Sequence, residues 1–138
     1  MGEAKTGGCL CGAVRFEVET PFLRMAECHC AECQKVSGGA PSYLVGAATD
    51  RFRIVKGAPR AYTIPGSSGA PVSRYFCETC GAPTHSTPEA FAGTVYIKVG
   101  AFDEDPGYRS EAAIWCASAP AWHHLPEGAP HLPRGSRG

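Results

Sequence analysis

Eight cysteines in a chain of 138 residues constrain this protein more than any other feature of its sequence. Seven of them fall into three short clusters: Cys9-Leu10-Cys11-Gly12, Cys28-His29-Cys30-Ala31-Glu32-Cys33 and Cys77-Glu78-Thr79-Cys80-Gly81. A chain uses so much sulfur for disulfides or for metal, and the redox compartment decides which. The first residues, Met1-Gly2-Glu3-Ala4-Lys5-Thr6-Gly7-Gly8, lack the apolar centre of a secretory leader. No stretch approaches the roughly 20 apolar residues of a membrane span. The expectation is a cytoplasmic protein whose thiols stay reduced, and metal is then the better reading.

The spacing supports metal directly. Cys77-x-x-Cys80-Gly81 is the pattern of a zinc knuckle: two thiolates close on one ion, and the glycine permits a left-handed backbone after the second ligand. A closed zinc site needs four ligands, so this knuckle needs a second pair. Two pairs would make one four-thiolate site. The triplet Cys28, Cys30 and Cys33 would make a second site with three protein ligands, leaving Cys116 over. The distinction matters, because a structural zinc is closed whereas a catalytic zinc keeps a position open. Three thiolates leave a zinc ion with a net charge of about −1, a modest Lewis acid suited to binding another soft ligand such as a thiol. The competing reading is a second structural zinc completed by His29, His85, Cys116, His123 or His124. His29 lies between two ligands and, in an extended segment, points the other way.

Around these clusters the chain reads as all-β. Residues 13–18 alternate, with Val14, Phe16 and Val18 on one side and Arg15 and Glu17 on the other, as in a half-buried strand. Short strands are also expected at 43–45, 52–55, 61–64, 72–76, 94–99 and 112–115. One helical turn is expected over Ala31 to Val36, closed by Ser37-Gly38-Gly39. The 17 glycines and 12 prolines make up about a fifth of the chain, against a usual ~12%, which excludes a long-helix bundle. The length suits a single domain with a core over about 5–125, and residues 126–138 are expected to be an irregular, frayed tail. Thirteen basic and thirteen acidic residues give a formal net charge of zero. That argues against a nucleic-acid binder and against a polybasic membrane contact.

The ordered segments Gly7 to Phe16, Cys28 to Cys33 and Phe76 to Gly81 resemble the glutathione-dependent formaldehyde-activating (GFA) family, also called the CENP-V/GFA domain. Ser37-Gly38, Gly57 and Pro120-Ala121-Trp122 extend the resemblance over nearly the whole chain. It implies an Mss-four-like fold, in which folded antiparallel sheets are stitched by zinc. It implies that Cys9, Cys11, Cys77 and Cys80 share a structural zinc, and that Cys28, Cys30 and Cys33 hold a second, catalytic zinc. It also implies a carbon–sulfur lyase acting on a small-thiol adduct such as S-hydroxymethylglutathione, with two Zn2+ per chain and glutathione as the small-molecule partner. No motif marks the thiol-binding surface, His29 and Glu32 have no assigned role, and Cys116 lies outside the family's ligand pattern. The alternative from another class is a noncatalytic zinc-stapled module that binds a partner. Whether a small thiol alters the metal site separates the two.

Overall fold

The computed structural model describes residues 2–135, and these are mostly β. Met1 and residues 136–138 lie outside the described residues. In chain order the strands are β1 (Ala4–Gly8), β2 (Arg15–Glu19), β3 (Arg24–Cys28), β4 (Ser42–Ala48), β5 (Phe52–Lys56), β6 (Arg60–Pro65), β7 (Pro71–Phe76), β8 (Pro83–Pro88), β9 (Thr94–Lys98) and β10 (Ala113–Ile114). One α-helix, α1 (Ala31–Ser37), joins β3 to β4, and Gly38 ends it in a left-handed conformation. Strands β1, β2 and β5 form a three-stranded antiparallel sheet. The other seven form a sheet in the order β10-β3-β4-β9-β8-β7-β6, antiparallel except for the short parallel β10–β3 pair. None of the helices among the described residues is long and apolar enough to cross a membrane.

The core follows from alternation. Phe16 and Val18 on β2 face Val45 and Ala47 on β4 and Val95 and Ile97 on β9, all fully buried. The Phe16 ring lies 5.4 Å from Phe52 and meets Phe102 edge-on at 5.6 Å. Each such large side chain contributes roughly 1.5–3 kcal/mol by leaving water. An ion pair such as Arg53–Glu17, whose arginine is 74% exposed, contributes at most about 1 kcal/mol. Inward apolar chains, not surface charge, therefore hold the two sheets together.

All seven expected strands form, and so does the helical turn. Three further strands were missed. β1 (Ala-Lys-Thr-Gly-Gly) and β3 (Arg-Met-Ala-Glu-Cys) lack apolar alternation, and β8 begins and ends in proline with Thr, His and Ser between. Their pairing partners, not their own pattern, make them strands. The expected tail is described only in part. Its last three residues, 136–138, lie outside the described residues; within 126–135 the backbone is irregular, yet residues 130–134 run along residues 113–117. Leu132 donates to the Ala113 carbonyl at 2.8 Å, and Trp115 donates to that of Arg134 at 2.9 Å. Backbone pairing against β10 leaves no trace in side-chain composition.

Candidate metal centres

The two antiparallel hairpins β1–β2 and β7–β8 meet at their turns. There Cys9, Cys11, Cys77 and Cys80 gather, with their sulfur atoms all within 4.8 Å of one another. The Cys9–Cys11 and Cys11–Cys77 sulfurs are 3.7 and 3.8 Å apart. Four thiolates about 2.3 Å from one zinc ion stand about 3.8 Å apart at the corners of their tetrahedron, so the donor set fits that ion. Gly12 and Gly81, each following the second cysteine of its pair, have φ of 83° and 79°. An L side chain is strained there, which explains the Cys-Gly ending of both turns. Backbone amides turn onto the sulfurs: Val14 donates to Cys9 at 3.2 Å, and Thr79 donates to Cys77 at 3.4 Å. Burial raises the Cys9 thiol, but the Val14 amide and the neighbouring thiols outweigh it and bring it to about 6. The Ala13 amide lowers Cys11, yet desolvation and the surrounding thiols carry it up to about 11. Thiols so crowded share their protons, and a cation would displace them.

The second group forms at one end of the large sheet. Cys28 is the last residue of β3, Cys30 caps α1, and Cys33 lies in its first turn. Their sulfurs also lie within 4.8 Å of one another, and Cys28 and Cys33 are buried. The Cys30 sulfur accepts from the Cys33 amide at 3.3 Å. Hydrogen bonds from Cys28 and Cys30 pull the Cys33 thiol down, against its burial, with help from the Ser42 hydroxyl and the Lys98 ammonium. Hydrogen bonding to Cys30 and Cys33, together with burial, drives Cys28 up. Among the described residues no further His, Cys, Asp or Glu joins this group, so it offers three ligands.

The candidates for a fourth ligand are placed elsewhere. Alternation along the extended backbone turns His29 away from its neighbouring cysteines. Its Nε2 lies 2.8 Å from Glu27, and its Nδ1 lies 2.8 Å from Nδ1 of His123. His123 in turn donates from Nε2 to the Gly39 carbonyl at 2.7 Å. Both ring nitrogens of both histidines are thus engaged. Ser110 donates to the other Glu27 oxygen at 2.5 Å, so this buried network pins the outer face of the cysteine loop. His85 stacks on Tyr75 at 4.4 Å and against Phe52 at 4.7 Å, and bonds Thr84 at 2.9 Å. Cys116 directs its sulfur to the Ala113 carbonyl at 3.4 Å, and His124 is exposed.

Strand register explains a feature the sequence reading missed. Cys28 pairs with Ser42 across β3 and β4, and Leu44 pairs with Lys98 across β4 and β9. Paired residues share a face, so Cys28, Ser42 and Lys98 stand together on the face opposite the core. Lys98 donates to the Ser42 hydroxyl at 2.6 Å. Burial lowers Lys98, while the Cys33 thiolate opposes that shift. Beside this end of the sheet lies a cavity of about 840 Å³. Leu10 and Cys9 of the first cysteine group form one wall, Val36 and Ser37 of α1 another, and Ser42, Lys98 and Asp103 supply its polar surface. None of the three cysteines lines the cavity, but Ser42 and Lys98 do, and both act on the Cys33 thiol. A lysine inside a Val-Tyr-Ile-Lys-Val strand was the signal available for this residue, and its meaning depends on register.

The family model described as glutathione-dependent formaldehyde-activating enzyme matches residues 4–118 of this chain. A protein of Halomonas elongata, named provisionally as a glutathione-dependent formaldehyde-activating enzyme, is 28% identical over 123 residues, covering 84% of this chain and 77% of its own. The crystal structure of a Rhodobacter sphaeroides protein superposes with a TM-score of 0.58 at 26% identity, covering 74% of this chain and 92% of that one. The matched segment contains all eight cysteines.

Proposed function

Because the chain belongs to the glutathione-dependent formaldehyde-activating family, we propose that it is a carbon–sulfur lyase of that type. It would join a small thiol to a carbonyl carbon, or release it, with S-hydroxymethylglutathione as the adduct and a reducing, cytoplasmic setting. Cys9, Cys11, Cys77 and Cys80 would hold a closed zinc that staples two hairpins, and Cys28, Cys30 and Cys33 would hold a second zinc. When bound to three thiolates, that second ion supplies an open coordination position that favours the thiolate form of an added thiol at neutral pH. The observation that carries this reading is a three-thiol group, with no fourth protein ligand among the described residues, beside a cavity large enough for a tripeptide thiol.

The protein's own residues do the rest. The His29–Glu27–His123 network and the Cys33-to-Cys30 hydrogen bond hold the three sulfurs in place. In the reaction the thiol sulfur forms a bond to the carbonyl carbon and the carbonyl pair moves to oxygen. The oxygen takes up the proton the thiol released. Cleavage runs the same balance backwards.

Cobalt substitution tests the reading, because thiolate-to-cobalt bands report the ligand set. Millimolar glutathione should shift the bands of the three-cysteine group and leave those of the four-cysteine group in place. The protein should also accelerate adduct formation above the spontaneous rate. An unchanged spectrum with no acceleration would favour the noncatalytic zinc-stapled module instead.

A further inference from the structure

The cavity holds one charged group that no carboxylate neutralises. Of its two charged lining residues, Asp103 is committed: it accepts a pair of hydrogen bonds from Arg15 and another from Thr6 at 2.6 Å. Lys98 makes no salt bridge among the described residues. Its one direct polar partner there is the Ser42 hydroxyl, which is buried and which also favours the Cys33 thiolate. Arg74, the other cation acting on this end of the sheet, is paired with Glu32 at 2.6 Å. Lys98 is therefore a half-buried cation held by a single hydroxyl, facing open space beside three thiols.

We propose that Lys98 binds the oxygen of the carbonyl-derived carbon, donating a hydrogen bond to it as the carbon–sulfur bond forms or breaks; this rests on the lyase reading above. When sulfur adds to a carbonyl carbon, the π pair moves onto oxygen, and negative charge grows there. Three thiolates nearby oppose that growth. A fixed ammonium on the cavity wall offsets it, and preorganised donors act where charge develops. The ammonium gives up no proton in this role. The proton lost by the thiol reaches the oxygen through solvent, and in the reverse direction it returns to sulfur the same way. Placement distinguishes this role from anchoring a distant carboxylate of the thiol. One hydroxyl separates Lys98 from Cys33, and the adduct's oxygen lies only two bonds from its sulfur, whereas the carboxylates of a tripeptide thiol lie many bonds away.

Calorimetry on protein purified without chelator tests this with two inert thioethers. S-methylglutathione has no oxygen near sulfur, whereas S-carboxymethylglutathione places a carboxylate there. The unaltered protein should bind the carboxymethyl compound about tenfold more tightly, the gain expected of one charge-assisted hydrogen bond. Lys98→Met should abolish that preference and leave the affinity for the methyl compound unchanged. Lys98→Gln should do the same, and guards against a fold lost with the methionine. Equal affinities in the unaltered protein would overturn the proposal however the variants fold. So would a preference that survives in the variants, or a loss of both ligands alike, which would mark Lys98 as an anchor for glutathione itself. With glutathione as the control, its failure to bind the unaltered protein would instead overturn the thiol-substrate reading, whereas glutathione binding without either thioether would overturn the proposal.

Discussion

A histidine shows how environment decides what a residue does. His85 sits between the rings of Phe52 and Tyr75, and burial holds it at about 4, below its ordinary 6.5. At neutral pH it is uncharged whether the chain is folded or not. Below about pH 6.5 the unfolded chain takes up a proton that the folded chain refuses. Stability from this site is therefore present above pH 6.5 and falls until about pH 4, by roughly 3 kcal/mol in all. His85→Phe should remove that part of the pH dependence. Between pH 7.5 and 5 the denaturant midpoint of the unaltered protein should fall more than that of the variant, and equal falls would refute the assignment. In the sequence His85 was one of five candidate fourth ligands, and nothing around it marked it as anything else. Only its stacked neighbours reveal its role.

At the scale of elements, the two cysteine groups sit in different mechanical positions. The four-cysteine group joins the turn of β1–β2 in the small sheet to the turn of β7–β8 in the large one. The three-cysteine group lies within one local unit, the end of β3 and the start of α1. A closed zinc contributes roughly 10 kcal/mol or more to a small domain. Cys77→Ala or Cys80→Ala should thus leave an unfolded or insoluble chain. Cys30→Ala or Cys33→Ala should keep the native circular dichroism and lose only one metal equivalent. Equal collapse of both sets would mean that both ions are structural.

For the whole molecule the cysteine arithmetic leads to a stoichiometry. Elemental analysis of protein prepared without chelator should find about two zinc equivalents per chain. One equivalent, with Cys28, Cys30 and Cys33 all open to alkylation, would defeat the two-site model. The same arithmetic joins the two layers of the fold. Apolar faces of β2, β4 and β9 make the core between the sheets, and Arg15 of β2 reaches Asp103 across the cavity rim. Cys9 of the first group lines the cavity, and so do Ser42 and Lys98, which act on Cys33 of the second.

What the sequence determined by itself is local chemistry. Alternation marked Val14, Phe16 and Val18 before any contact was known, because a strand shows its two faces at a period of two. Cysteine spacing marked the knuckle and the triplet, because metal ligands separated by one or two residues come from a single turn. The turn glycine after Cys80 was equally legible. Tertiary structure decided whatever depends on residues far apart in the chain. Spacing left open whether the first pair joins the second or third cluster, and hairpins meeting 66 residues apart brought Cys11 to Cys77. β1, β3 and β8 are strands through their partners. His29 and His123, 94 residues apart, bond each other instead of a metal. Ser42 and Lys98, 56 residues apart, meet through register alone. Distance along the chain carries no information about pairing until the sheet is assembled, and the cavity's chemistry is written entirely in those pairings.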